Sequence, residues 1–108
     1  MITTGNKKTF CFDLDDTLCK TKGLNYKESQ PIQERIKIVN KLYESGNYII
    51  IDSARGSGTG KYWTKETAAQ LQKWGLRYHK LRCGHKFAAD YYIDDKALSD
   101  IDFFKNIV

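Results

Sequence analysis

Apolar and polar residues alternate in blocks along this chain, and the blocks predict a repeated order of strand, loop and helix. Residues 9–12 and 48–51 are short apolar runs with polar or glycine residues at their ends, which is typical of buried parallel strands. Residues 76–82 carry a weaker strand pattern with Tyr78 and Leu81 as bulky members. Residues 91–93 form one more short apolar run, which predicts a further strand.

Between these runs the apolar residues change to helical spacing. The first helix is predicted from Pro31, which the first turn of a helix tolerates, to Gly46, a common C-terminal stop. Its apolar residues recur every three or four positions, at Ile32, Ile36, Val39 and Leu42. The second helix is predicted from Thr64, as the N-cap, to Gly75, with Ala68, Leu71 and Trp74 on one side. The polar residues 20–30 predict a loop.

Alternating strand and helix units predict an α/β fold, with a parallel sheet and helices in three Rossmann-like layers. The chain has 108 residues, is 41% hydrophobic and contains one proline, so we expect a single folded domain over residues 1–108. It has neither an apolar run long enough to cross a bilayer nor a signal-peptide pattern. We therefore expect a cytoplasmic protein without membrane contact.

Charge and cysteine content narrow the classes of partner. The net charge of +5 suits an anionic ligand, but the 18 basic residues are spread out, as on an ordinary solvated surface. No aromatic and basic stripe is present, so binding of nucleic acid is not favoured. Three cysteines without framework spacing, Cys11, Cys19 and Cys83, indicate a reducing compartment. A zinc site of Cys83 with His79 and His85 would lack a fourth ligand.

The first predicted strand ends in acidic residues, and these are the strongest candidates for chemistry. Asp13 and Asp15 follow residues 9–12 directly, and two like charges at one strand end repel each other unless a cation or a shared proton relieves them. A hard divalent cation such as Mg²⁺ prefers oxygen ligands of this kind. The last predicted strand also ends in acid, at Asp94 and Asp95, and ligands of parallel sheets bind beyond the carboxyl ends of the strands.

Residues 55–61 form a glycine-rich loop directly after the second predicted strand. A phosphate loop of the Walker type requires a glycine where Arg55 stands and a serine or threonine where Tyr62 stands, so the pattern fails twice. What remains is a loop whose backbone amides and Arg55 are free to meet an anion. An ordinary mobile loop is the open alternative.

The run from Asp13 to Thr17 resembles the DxDxT signature of the haloacid dehalogenase superfamily of phosphohydrolases. Ser53, after a hydrophobic strand, resembles the second motif of that family, and Lys86 stands where its third-motif lysine would be. Asp94 and Asp95 resemble the acidic fourth motif. The four motifs occur in the order of the family and span nearly the whole chain.

The resemblance implies a role for each of these residues. Asp13 would attack phosphorus and form an aspartyl-phosphate, and Asp15 would exchange a proton with the leaving group and with water. Ser53 would hydrogen-bond a phosphoryl oxygen, and Lys86 would balance the extra charge while steadying Asp13. The implied cofactor is Mg²⁺, held by Asp13, by the backbone carbonyl of Asp15 and by a carboxylate of the pair Asp94 and Asp95.

Neither gap between the motifs has room for a cap domain, so the chain resembles a capless member of the superfamily. Residues 53–61, 63–64 and 72–75 are similar to small bacterial phosphatases of capsule or surface polysaccharide synthesis. That likeness implies a small phosphorylated sugar as substrate, and an uncovered site implies a homo-oligomer. Four residues are candidate substrate contacts: Thr17, Arg55, Lys61 and Trp63. Thr17 is also a candidate support for the turn.

Two positions depart from the pattern of the family. Asp52 stands where an apolar or hydroxyl residue is usual, and Phe87 stands where a proline is expected after Lys86. Two other functions therefore stay open. The chain could be a phosphatase of a macromolecular phosphate, such as a nucleic-acid end or a phosphoprotein, or a non-catalytic domain that binds phosphate or metal. Intact Asp13 and Asp15 count against the non-catalytic alternative.

Overall fold

Three parallel strands form the main sheet of the computed structural model, which describes residues 7–107. The elements follow one another as β1 (Thr9–Phe12), β2 (Cys19–Lys20), β3 (Gln30–Pro31), α1 (Gln33–Glu44), β4 (Tyr48–Ser53), α2 (Thr64–Lys73), β5 (Lys80–Cys83) and α3 (Asp100–Asn106). The radius of gyration is 13.6 Å, close to the roughly 13 Å expected of one compact domain of this length.

The order of the strands in the main sheet is β1, β4, β5, and both neighbouring pairs are parallel. Phe12 lies opposite Ile51, and Ser53 lies opposite Cys83. The carboxyl ends of β1 and β4 therefore meet at one edge of the sheet, as the sequence predicts. The α/β fold class with a parallel sheet flanked by helices is confirmed.

One face of the sheet carries the hydrophobic core. Phe12 and Ile51 are buried on this face, whereas Cys11, whose side chain points to the opposite face, is exposed. All three helices contribute buried side chains to the same cluster: Ile36, Val39 and Leu42 from α1, Leu71 from α2 and Phe103 from α3. The ring of Phe103 meets that of Phe12 edge-on, with 5.4 Å between centroids. This packing holds the carboxyl end of β1 against the hydrophobic core.

The structure corrects the predicted loop at residues 20–30. Lys20 pairs with Gln30 and Cys19 pairs with Pro31 in an antiparallel ribbon, β2 and β3, which is closed by a short 3₁₀ turn at Tyr26–Glu28. Such short strands bury little beyond Cys19, so the sequence gives no alternating pattern. Because Pro31 belongs to the ribbon, α1 begins at Gln33 and not at the proline.

The strand predicted at residues 91–93 is wrong. Tyr91, Tyr92 and Ile93 are 84%, 52% and 98% exposed. Local contacts hold this segment away from the sheet, because the ring of Tyr92 lies under the Lys86 ammonium and its hydroxyl donates to the carbonyl of Phe87. Consequently β1 lies at the edge of the sheet within residues 7–107. The strand order of the haloacid dehalogenase superfamily, which the sequence resembles, would instead place this strand in the centre.

Smaller differences concern the ends of the later elements. Thr64 is the first residue of α2 and not its cap, and β5 starts at Lys80, four residues after the predicted start. Helix α3 was not expected from the sequence, although the hydroxyl of Ser99 caps it by accepting the backbone N–H of Asp102. Among the described helices, each is too short or too polar to cross a membrane.

Candidate active site

A tight turn after β1 presents the two aspartates. The carbonyl of Leu14 accepts the backbone N–H groups of Thr17 at 3.1 Å and Leu18 at 2.8 Å, and the leucine side chains are fully buried. Asp13 and Asp15, on either side of Leu14, are only half-buried and point away from the core. Leu14 thus anchors the turn, and the carboxylates are left accessible beside the ends of β1 and β4.

Asp13 contacts a lysine and a hydroxyl group. The Nζ of Lys86 lies 3.1 Å from Oδ1 of Asp13, and the Oγ1 of Thr17 donates to Oδ2 at 3.1 Å. The Lys86 ammonium also lies 4.7 Å from the ring centre of Tyr92. The structure therefore brings Asp13, Thr17 and Lys86 together, and it places Thr17 as a support of Asp13.

Asp15 contacts the guanidinium group of Arg55. The Nη2 of Arg55 donates to Oδ1 of Asp15 at 2.8 Å, and its Nε donates to Oδ2 at 3.0 Å. The hydroxyl of Thr21 donates to the same Oδ1 at 2.6 Å. Because Arg55 is only 2% exposed, it cannot contact a substrate at the mouth of the site. The predicted substrate contact at Arg55 is corrected on this ground.

Arg55 also joins three separate parts of the chain. Its Nη1 donates to Gln70 at 2.7 Å and to Thr67 at 3.2 Å, both on α2, and its Nη2 donates to Ser29 beside β3 at 3.3 Å. Its guanidinium carbon lies 4.8 Å from the ring centre of Tyr26. The ribbon, the glycine loop and α2 therefore meet at this one side chain.

Ser53 is fully buried at the end of β4. Its Oγ accepts the backbone N–H of Arg55 at 3.2 Å, and its carbonyl accepts the N–H of Gly84 at 3.1 Å. The hydroxyl proton is not used in either bond, so it is available to an acceptor. Binding of a phosphoryl oxygen by Ser53 stays a prediction.

The predicted magnesium ligands do not come together. Asp94 and Asp95 are exposed, and Asp94 accepts the backbone N–H of Lys96 at 2.8 Å. This hydrogen bond, followed by one with Asp95, lowers the pKa of Asp94. Within residues 7–107, no three His, Cys, Asp or Glu side chains lie close enough to hold a metal ion. The residues as placed do not fit the implied Mg²⁺ site, since the carboxylate of Asp13 meets Lys86 and the pair Asp94 and Asp95 is exposed.

Lys61 and Trp63 lie at the outer end of a stack that leads to Arg55. The Nζ of Lys61 is 4.4 Å from the ring centre of Trp63, and Trp63 meets Tyr26 edge-on at 5.0 Å. Tyr26 in turn lies against Arg55. Lys61 is exposed and Trp63 half-buried, so both can still meet a ligand, and their role as substrate contacts stays a prediction.

The structure shows the surroundings of Asp52 and Phe87, the two residues that depart from the family pattern. Asp52 lies opposite Arg82 in the neighbouring strand, with 3.7 Å between Oδ1 and Nε, so its charge has a partner. This oxygen accepts no hydrogen bond from the described residues. Phe87 is 86% exposed. Lys86 reaches Asp13 although no proline follows it.

The position of His79 does not support a zinc site with Cys83 and His85. Its Nδ1 accepts the backbone N–H of Ile49 at 3.0 Å, and its ring stacks between those of Tyr43 and Tyr48 at 4.4 and 4.7 Å. These contacts are those of a structural histidine. All three cysteines are free.

A cleft of about 710 Å³ lies beside the turn after β1, within the usual size range of small-molecule sites. Thr21, which donates to Asp15, is one of its lining residues, and Lys20 and Lys22 place positive charge there. Its other lining residues are Asp16, Asn25, Glu28 and Gln30. None of the four predicted substrate contacts lines this cleft.

The sequence reading missed most of the partners of Asp15 and Arg55. Thr21 and Ser29 carry hydroxyl groups inside the segment predicted as a loop, and Thr67 and Gln70 lie on the inner side of α2. The only signal was Arg55 itself, a basic residue two positions after Ser53. Its burial depends on the ribbon, which the sequence did not predict.

Gly56 is where the glycine-rich loop closes on itself. Its φ angle is +88°, and a Cβ atom there would lie 2.1 Å from the carbonyl oxygen of Lys61. Gly58, two residues away, has no atom within 4 Å of the same position. The loop therefore depends on glycine at residue 56 and not at residue 58.

Gly56→Ala is expected to destabilise the protein by about 1–3 kcal/mol, because alanine requires both a left-handed backbone and a shift of the Lys61 carbonyl. Gly58→Ala is the matched control and should change the free energy of unfolding by less than about 0.5 kcal/mol. Urea unfolding followed by circular dichroism measures both. Equal stability of the two variants would contradict the described closure of the loop.

The fold is shared with a protein of known structure. A crystal structure of a structural-genomics target from Vibrio cholerae superposes with a TM-score of 0.80 over 90% of this chain and 87% of that chain, at 23% sequence identity. At this identity the likeness concerns the fold alone. No protein-family model and no curated protein sequence matches the chain.

Proposed function

We propose that this protein is a phosphomonoesterase that works through an aspartyl-phosphate on Asp13. The observation that carries the proposal is the unlike surroundings of the two carboxylates on one turn. Asp13 meets the ammonium of Lys86, and Asp15 is held by buried Arg55. Neighbouring acids in different environments are suited to different tasks, one as a nucleophile and one as a carrier of protons.

In the first step an oxygen of Asp13 attacks phosphorus, and the ester bond between phosphorus and the leaving oxygen breaks. Asp15 enters this step protonated by solvent, and the leaving oxygen takes that proton and departs as an alcohol. In the second step a water molecule gives a proton to Asp15 and attacks the phosphorus of the aspartyl-phosphate, which releases phosphate and restores Asp13. Lys86 offsets the negative charge that gathers where the two anions meet.

Mg²⁺ is part of the proposal on the ground of the motif order in the sequence alone, and the steps above name only what the side chains of this protein do. When bound, the cation would neutralise charge on the phosphoryl group. Asp13 is the ligand best placed for it, since it is half-buried at the strand end. Asp94 and Asp95 would have to come from an exposed segment.

A phosphorylated sugar or a similar small metabolite of surface polysaccharide synthesis is the proposed substrate class. The cleft beside Asp16 and Thr21 is lined by two lysines, two acidic residues and two amide side chains, and these groups suit a polar molecule that forms many hydrogen bonds. We also propose a cytoplasmic location. A homo-oligomer is proposed because several large apolar side chains are exposed near Lys86, namely Phe87, Tyr91, Ile93 and Leu98.

The test is hydrolysis of a small aryl phosphate by the native chain, with Mg²⁺ and with a chelator, followed by a comparison of substrate classes. We expect turnover that requires Mg²⁺, and a kcat/KM for sugar phosphates above that for a 5′-phosphorylated oligonucleotide or a phosphopeptide. A preference for the oligonucleotide that falls steeply with salt would favour the macromolecular alternative. Binding of Mg²⁺ or phosphate without any turnover would favour a non-catalytic domain.

A further inference from the structure

The two carboxylate oxygens of Asp15 are not equivalent. Oδ1 accepts hydrogen bonds from Thr21 at 2.6 Å, from Arg55 Nη2 at 2.8 Å and Nε at 3.3 Å, and from the Cys19 thiol at 3.6 Å. Oδ2 accepts one, from Arg55 Nε at 3.0 Å, within the part of the chain that the structure describes. Since a carboxylate oxygen has two lone pairs, Oδ1 is saturated and Oδ2 keeps one free.

Two of the groups that donate to Oδ1, the Thr21 hydroxyl and the Arg55 guanidinium, are also joined to each other through Ser29. Arg55 Nη2 donates to Asp15 and also to the hydroxyl of Ser29, which lies 2.6 Å from the hydroxyl of Thr21. Because the Thr21 proton goes to Asp15, Ser29 donates to Thr21. Every member is therefore oriented by the next, and rotation of the Asp15 carboxylate would break several bonds at once.

Arg55 is the charged group that faces Asp15 in this surrounding. The other titratable side chains near it are Cys19 on β2, Tyr26 in the 3₁₀ turn and Cys83 on β5, and burial raises the pKa of each, that of Cys19 to about 11. All three side chains are neutral at pH 7. Among residues 7–107, Arg55 is therefore the side chain that forms an ion pair with Asp15.

Building on the proposed function, we infer that Arg55 is a positioning residue for Asp15: it donates to both carboxylate oxygens and leaves one lone pair of Oδ2 to exchange the proton with the substrate and with water. Arg55 acts through Asp15 and does not reach the substrate, because it is 2% exposed. Its two-point contact fixes the plane of the carboxylate, which a lysine, with a single nitrogen, would not do.

Arg55→Met removes the charge while keeping an unbranched side chain of similar length, and Arg55→Lys keeps the charge but loses the two-point contact. We expect Arg55→Met to lower kcat about 10- to 100-fold with little change in KM. The loss should be larger on an alkyl phosphate, whose leaving oxygen needs the proton from Asp15, than on an aryl phosphate, which departs without it. Arg55→Lys should lose kcat in the same pattern but to a smaller extent.

Arg77→Met is the matched control. Arg77 forms an exposed ion pair with Glu44 at 3.3 Å, so its loss should leave kcat and KM unchanged on both substrates. Circular dichroism shows whether each variant is folded. If Arg55→Met does not fold, Arg55→Lys provides both measurements, since it leaves no unpaired carboxylate at Asp15.

A double-mutant cycle separates this inference from the proposed function. Arg55→Met, Asp15→Asn and the double variant are compared by urea unfolding, and their losses of stability should not add, because the two side chains form one ion pair. Non-additive losses in an inactive native protein would support the Arg55–Asp15 pair and contradict the phosphatase proposal. Additive losses, or a raised KM with unchanged kcat in folded Arg55→Met, would overturn the positioning role.

Discussion

Asp13→Asn abolishes phosphatase activity, with a fall in kcat of at least about 1,000-fold on an aryl phosphate. Asparagine has nearly the same shape as aspartate but lacks the carboxylate that attacks phosphorus. The hydroxyl of Thr17 can still donate to the side-chain oxygen of the amide, so the turn should keep its geometry. The measurement is steady-state release of the phenol by variant and native chain at equal concentration.

Stability should change little in this variant, which makes the loss of activity interpretable. The side chain of Asp13 is 39% exposed and its ion pair with Lys86 spans 3.1 Å, so the pair contributes no more than about 1 kcal/mol. Asp90→Asn is the matched control, because Asp90 is exposed and is not among the residues that line the cleft. A residual rate in Asp13→Asn within tenfold of the native rate would rule out Asp13 as the nucleophile.

Asp15→Asn should separate the two steps of the reaction. An alkyl leaving group needs a proton, so hydrolysis of a sugar phosphate should fall about 100- to 10,000-fold. An aryl leaving group departs without that proton, so the first step should survive on an aryl phosphate while the water step slows. We therefore expect a burst of one phenol per active site, followed by a slow steady state, in stopped-flow absorbance.

Asp15→Asn should also cost stability, in contrast to Asp13→Asn. It leaves the buried Arg55 cation without its anion, and we expect a loss of about 2–3 kcal/mol, somewhat below the loss for a fully buried pair because Asp15 is 23% exposed. Asp90→Asn again serves as the control, by urea unfolding. Equal losses of activity on alkyl and aryl phosphates, with no burst, would contradict the role of Asp15 as the proton carrier.

The sequence predicted the parts of this fold that rest on local patterns. Strand β1 and helix α1 follow from apolar runs and helical spacing, and the end of α1 follows from Gly46, whose φ angle is +92°. The contact of Lys86 with Asp13 was also expected, although the two residues are 73 positions apart. It depended on the likeness to a known motif order, since spacing alone carries no such information.

The rest depended on contacts between distant segments. The apolar run at residues 91–93 has the composition of a strand, but Lys86 and Phe87 hold Tyr92 locally. Arg55 resembled a free anion contact because arginine is seldom buried, and only the ribbon and α2 together supply enough acceptors to bury it. Such outcomes are decided by tertiary packing, which a single sequence does not record.

The aromatic stack between the surface and the site gives this protein a built-in optical probe. The chain contains two tryptophans, and Trp63 is separated from the Arg55 guanidinium by Tyr26 alone. Its indole emission therefore depends on the arrangement of the same ribbon and loop that hold Asp15. With Trp74 replaced by phenylalanine, the fluorescence of one residue would follow ligand entry and loop rearrangement in real time, without any label.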